Sequence, residues 1–253
     1  MIDFEAEGNV ALITMNRPEA RNAINGTMSS GLEHAIDRLE ADGSLWLGIL
    51  THTGPVFSAG ADLKAVAEKR FRELSTARGG FGGIVLRERT KPLIAAIDGP
   101  ALAGGTEIAL TCDLRVASTA ARFGLPEVKR SLIAAAGGLV RLPRTIPLAI
   151  AMEMVLTGDP ISAERALALG LINELCDPGG ALDAARRLAD RVNANGPLAV
   201  RESRRLVLEG LAQTDAESIR AAGEAQLSLR TTEDFAEGPR AFIEKRPPVW
   251  KGR

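Results

Sequence analysis

PLIAAIDGPALAGGTEIALTCDLRVAS, residues 92–118, reads as an apolar strand, a glycine-rich loop, a helix and a second strand in unbroken succession. The first strand is PLIAAID (92–98), the helix holds Ile108, Ala109, Leu110 and Cys112, and the second strand is DLRVAS (113–118). One charge, Glu107, stands in the first turn of that apolar helix, just after a pair of glycines. A carboxylate is rarely buried unless something satisfies it. Glu107 therefore lies at a cavity, is paired, or is held by the dipole of the helix N-terminus.

Strand and helix alternate on either side of this stretch. IDFEAE (2–7) and VALITM (10–15) flank Gly8-Asn9 as a hairpin, and NRPEARNA breaks the regularity at Pro18. Met28, Leu32, Ile36 and Leu39 recur at helical spacing between Thr27 and Asp42, with Gly43 as the stop. LWLGILTH (45–52) is a buried strand that runs into the loop TGPVFSAGAD. The class is α/β. EKRFRELSTARGGFGG (68–83) is charged and then glycine-rich, which predicts a mobile surface segment that contributes little to the core. Beyond residue 140 strand signals fade. Helices are expected over 147–156 and 181–194, and another opens at the Thr214, Glu217 capping box. Pro247-Pro248 ends the last helix, and the arm VWKGR needs a surface to dock on.

The chain has 253 residues, enough for one large core. Its 31 basic and 32 acidic residues leave a net charge of −1, so charge implies neither a nucleic-acid surface nor an acidic tail. Cys112 and Cys176, each in or beside an apolar segment, are too few for a disulfide framework, and a reducing cytoplasm is the expected compartment. The acidic start MIDFEAEGNV has no basic and apolar leader pattern, and no apolar run is long enough to span a bilayer. No signal peptide and no membrane partner are expected. His34 and His52 lack metal-ligand spacing, so no metal site is expected either.

FSAGAD (57–62) and ALAGGTE (101–107) both follow a strand and precede a helix. Such loops expose backbone N–H groups at a helix N-terminus. Two of them could aim their donors at one oxygen, as an oxyanion hole does; taken singly, each is equally a tight turn. Neither has the ending of a phosphate-binding P-loop nor the spacing of a dinucleotide fingerprint. A second carboxylate, Glu127, lies in RFGLPEVKRS (122–131), before the run SLIAAAGGLV. It is either a solvated acid paired with Lys129 or Arg130, or the partner of Glu107 in a poorly solvated pocket. In the pocket one pKa would rise, and the pair could hold a water between an acid and a base.

MNRPEARNAI, FSAGADLK, ALAGGTEIALTCDLRVAS, FGLPEVK, LTGDPISAERALALGLIN and EGPRAFIEKRPPVW, in that order, resemble segments of the enoyl-CoA hydratase/isomerase (crotonase) superfamily. The resemblance runs essentially end to end. It implies a spiral of ββα units over residues 1–195 and a helical oligomerisation region over 196–253, assembled as a trimer or a dimer of trimers. By position in those motifs, the N–H groups of Ala61 and Gly104 match the oxyanion hole, and Glu107 and Glu127 match the two catalytic glutamates. In hydratases of this kind the first glutamate activates a water and the second protonates the α-carbon of a 2,3-enoyl-CoA. The coenzyme A portion of the substrate would run along Arg21, Ala23 and the loop Ala59, Gly60, Ala61, Asp62, Leu63, Lys64. Phe242 and Lys245 match positions that reach its nucleotide end, often from a neighbouring subunit. The resemblance implies no cofactor beyond the CoA carried by the substrate.

One departure concerns LIAAAGGLV, where Ala134 and Ala135 stand at positions commonly occupied by Pro and Gly. An alanine still offers its N–H to a water, but its Cβ crowds the site. Double-bond isomerisation or dehydration of a special acyl group on the same scaffold is the alternative reading, and a non-catalytic CoA-ester-binding protein is a further one. The retained glutamate pair argues against the last. No motif places a histidine to activate Ser58, and His52 ends a strand, so both are read as structural.

Overall fold

The computed structural model describes residues 1–253. Strands β1 (Ile2–Glu7) and β2 (Val10–Met15) form the expected hairpin, with Gly8 in the left-handed region at φ +59°. Helix α1 (Gly26–Ala41) is capped by Asn25, whose side chain accepts the Met28 N–H, and it buries Met28, Leu32, Ala35, Ile36 and Leu39. There follow β3 (Leu47–His52), α2 (Leu63–Ala67), β4 (Ser75–Thr76), β5 (Gly80–Phe81), β6 (Leu93–Ile97), β7 (Ala101–Leu102), α3 (Gly104–Thr111), β8 (Leu114–Ser118) and β9 (Arg122–Gly124). The second half adds α4 (Gly138–Thr145), α5 (Leu148–Thr157), β10 (Ile161–Ser162), α6 (Ala163–Ala168), β11 (Glu174–Cys176), α7 (Ala181–Asn193), α8 (Pro197–Gly210), α9 (Asp215–Leu229) and α10 (Glu233–Glu244).

The main sheet has the order β1-β2-β3-β6-β8-β11, and every pairing after the hairpin is parallel. A parallel sheet is covered on both faces, which is why its strands read as continuous apolar runs. Ala11, Ile13, Met15, Ala95, Ile97 and Ala117 face α1 and α3 in the larger core. The alternate residues Val10, Leu12, Ile49, Ile94, Ala96 and Val116 pack against Ala184, Ala185 and Leu188 of α7. Short strands β7, β9 and β10 form a separate sheet beside the first turn of α3. No helix is long and apolar enough to cross a membrane.

Two expectations need correction. Strand signals do not end at residue 140, because β11 completes the main sheet by pairing Glu174, Leu175 and Cys176 with Val116, Ala117 and Ser118. Its three residues carry no periodicity, and the neighbouring strand supplies the register. Residues 68–83 are also not a detached surface segment. Leu74 is buried, and Phe81 packs on the core that Ile84 and Val85 enter just beyond the stretch. The charges of this stretch bind it to α1: Glu33 accepts from Thr76, Arg78 and the Gly79 N–H, and Asp37 pairs with Arg78 and Arg87.

Lys91 is fully buried and closes the C-terminal end of α1, donating from Nζ to Leu39 O and Asp42 O, each at 2.6 Å. Lys91→Met leaves those carbonyls without a donor and is expected to cost about 2–3 kcal/mol. A lower denaturant midpoint at unchanged slope would show it. An unchanged midpoint would mean that water replaces the ammonium. Farther along, Asp113 accepts from Arg89 (2.5 Å) and from Arg204 of α8 (2.9 Å), tying the C-terminal helices to the sheet. The terminal arm docks as its sequence requires. Trp250 donates to Ala194 O at 2.9 Å, and Asp234 accepts the N–H groups of Lys251 and Gly252.

Candidate active site

The two glycine-rich loops meet. A Cβ built on Gly60 would lie 2.8 Å from the Gly104 nitrogen and 2.9 Å from the Ala103 Cβ, so only glycine lets the backbones approach this closely. Ile24 donates to Gly60 O (2.7 Å) and accepts from the Asp62 N–H (2.9 Å). Strand-like alternation therefore turns the Ala61 N–H to the opposite side, where it finds no acceptor in the protein. Gly104 heads α3, and its N–H is likewise free.

Ala103, just before Gly104, sits at φ 52°, ψ −128°, a conformation of order 1–3 kcal/mol above the allowed basins for a residue with a Cβ. It is held there by its own N–H on Gly124 O (2.9 Å) and by the Thr106 hydroxyl, which bonds Ala101 O (2.6 Å) and accepts the Gly124 N–H (3.1 Å). On the other loop, Ser58 Oγ donates to Asn22 O (2.9 Å) and accepts the Gly60 N–H (3.2 Å), the structural role its sequence context suggests. Asn22 in turn donates to Thr53 O and Val56 O. The ring of Phe81 lies over Gly104, where an added Cβ would come within 2.5 Å of it.

Glu107 projects one turn along α3 and is 4% exposed. Its Oε1 accepts the Gly138 N–H at 2.9 Å. Burial, reinforced by the charge of Glu127, pushes its carboxyl up to about 7 against the lowering effect of that N–H. Glu127 stands on a 3₁₀ turn (Pro126–Arg130) with Oε2 buried and without a hydrogen-bond partner, and burial raises its pKa too. The solvated-pair alternative for Glu127 is not what the fold builds. Glu127 forms no ion pair, and Lys129 reaches Asp159 instead (2.5 Å). Burial thus raises both carboxyls, and the charge of Glu127 adds to the rise at Glu107, which keeps its proton up to near neutral pH.

Other positions named from the sequence divide in two. Arg21 and Ala23 lie on the loop clamped to the glycine-rich turn, Ala59 donating to Arg21 O at 3.0 Å. Asp62 caps α2 and pairs with Arg17 at 2.8 Å, whereas Leu63 and Lys64 are exposed beside it. Phe242 and Lys245 are not brought to the glutamates. They stand exposed at the end of α10, Phe242 at 86%. Ala134 is buried, its Cβ packed toward Gly138, and Ala135 is exposed. His52 Nε2 accepts the Asp98 N–H (3.0 Å), and burial lowers the pKa of its ring. No group of three His, Cys, Asp or Glu side chains is placed to hold a metal ion. A surface cavity of about 510 Å³ lies on the Arg17 side of the loop, lined partly by Asn25, Asp62 and Lys64 but by neither glutamate.

Sequence reading missed Gly138, Arg141 and Phe81. Only the paired glycines of AAAGGLV hinted at the first. The arrangement can hold an oxygen that gains negative charge, with a water and a proton source beside it.

Residues 5–253 match the family model described as enoyl-CoA hydratase/isomerase. Among curated relatives, the chain is 41% identical to Enoyl-CoA hydratase EchA19 of Mycobacterium tuberculosis over 98% of this chain and 96% of that protein. It is 38% identical to (E)-benzylidenesuccinyl-CoA hydratase of Thauera aromatica over 99% of each. A crystal structure of an enoyl-CoA hydratase from M. tuberculosis H37Rv aligns at TM-score 0.95 and 47% identity, covering 100% of this chain and 99% of that chain.

Proposed function

Because this chain belongs to the enoyl-CoA hydratase/isomerase family and is a hydro-lyase, we propose that it adds water across the 2,3-trans double bond of an enoyl-CoA to give a 3-hydroxyacyl-CoA. The observation that carries this is a buried Glu107, its pKa raised in part by the charge of a half-buried Glu127, on the helix that opens at one of two abutting loops with unsatisfied N–H groups. The thioester oxygen takes the N–H groups of Ala61 and Gly104, whose bonds strengthen as the oxygen becomes enolate-like. Glu107, whose ionised form the Gly138 N–H favours, accepts a proton from water as the water oxygen bonds to the β-carbon. Glu127, with no donor on Oε2, gives its proton to the α-carbon. The pair ends with its proton on the other member, and exchange after product release resets it.

In the same reading, the thioester's CoA portion follows Arg21, Ala23 and residues 59–64. The exposed Phe242 and Lys245, with exposed Val207, Leu211 and Ile219 on or beside α8 and α9, fit a helical region that packs against other copies in a trimer or dimer of trimers. The buried Ala134 against Gly138 favours a second reading of substrate range, the same hydro-lyase chemistry on bulkier or specialised acyl groups.

Loss of enoyl-thioester absorbance across short, long and branched 2-enoyl-CoA esters tests the proposal. Wild type is expected to turn over at least one ester, and Glu127→Gln to lose about 10²- to 10⁴-fold in kcat while still binding it. Binding of every ester without hydration of any would sink the hydratase reading.

A further inference from the structure

Arg141 enters neither the sequence motifs nor the mechanism above, yet it sits between the two halves of the site. It lies in the first turn of α4, its own N–H on Gly137 O at 2.8 Å. Its side chain folds back over the turn that opens the helix. There Gly137 has φ +100°, and a Cβ would lie 2.1 Å from Nη1, so the guanidinium occupies the space a side chain at 137 would take. The next residue, Gly138, donates to Glu107. From its other side the guanidinium donates through Nη2 to Val85 O at 2.6 Å. Val85 closes the segment whose Phe81 covers Gly104.

We propose that Arg141 is a positioning residue of this site, its guanidinium locking the Gly137–Gly138 turn that hydrogen-bonds Glu107 to the Phe81–Val85 segment that covers the oxygen-binding loop. Two loops with no backbone hydrogen bond between them are thereby set at a fixed separation. The planar guanidinium suits the task because it fills the space over Gly137 while it donates to Val85 O and stays charged. Its cation also faces Glu107 and favours that carboxylate's ionised form. The charged groups around it are Glu107 on α3, Arg144 on its own helix and Arg89 from the segment before β6; Glu127 faces Glu107 from the 3₁₀ turn.

The inference rests on Glu107 being a reacting group, and the test separates the two ideas. In Arg141→Gln, which keeps a donor but loses the cation, kcat is expected to fall about 10- to 100-fold. The limb of its kcat–pH profile that reports Glu107 should move up. Arg141→Lys keeps the cation and should hold that limb near wild type. A merely structural arginine would lower melting temperature and kcat but leave that limb in place. Infrared titration of the carboxyl band that disappears in Glu107→Gln needs no turnover, and the midpoint of that band should rise in Arg141→Gln. If it rises while wild type hydrates no ester, the positioning role stands and the hydratase reading fails. An unmoved midpoint, or a lysine variant that behaves as the glutamine one does, overturns the proposal.

Discussion

Glu107→Gln is expected to lose about 10²- to 10⁴-fold in kcat and, above neutral pH, to be more stable than the wild type. The activity loss follows from removing the group that takes the proton from water. The stability gain follows from burial. In the unfolded chain Glu107 titrates near 4.5, and in the folded one it is pushed up to about 7. Between those values the native state holds a proton that the unfolded state has released, so stability falls as pH rises through the window. At 4% exposure the full penalty approaches about 3 kcal/mol at pH 8, and a neutral glutamine, which still accepts the Gly138 N–H, avoids it. Urea unfolding of both proteins from pH 4.5 to 8 would test this. Their stabilities should coincide at the acid end and separate progressively above it. Parallel curves would mean that Glu107 ionises freely in the folded protein.

Gly60→Ala is expected to lower kcat by about 10²- to 10³-fold, because the added methyl lies 2.8 Å from the Gly104 nitrogen and pushes that N–H off its target. At φ +85° the new Cβ also strains the backbone, so a stability loss accompanies the kinetic one. Gly170→Ala separates the two effects. Gly170 has φ +77° with nothing within 4 Å of an added Cβ, so it should cost a comparable backbone penalty, about 1 kcal/mol, without touching turnover. A folded Gly60→Ala enzyme with wild-type kcat would be fatal to the two-loop oxyanion hole.

The structure shows how far local signals reach. The hairpin, α1 with its stop, the strands of residues 47–52, 93–97 and 114–118, and the capping box at Thr214 and Glu217 all appear where their own residues call for them. Each depends on interactions within a few residues or on a period that a single face imposes. Glu107 was conspicuous for the same reason, a charge in an apolar turn after two glycines.

Other features depend on partners distant in the chain. β11 has too few residues for a pattern and exists because β8 offers a free edge. The charged segment before β6 looks solvated until Glu33 and Asp37, some 40 residues earlier by number, accept its donors. The burial of Glu127 needs its loop folded back toward α3, and the bridge through Arg141 needs α4 against Val85.

By itself, then, the sequence determined the alternating α/β class and singled out two glycine-rich loops and two carboxylates as candidates, because propensity, turn chemistry and motif order are written locally. Only the tertiary structure decided that the loops abut at Gly60 and Gly104 and that a buried Glu107 senses the charge of Glu127. Distance and dielectric between residues far apart in the chain exist only once the core has closed around them.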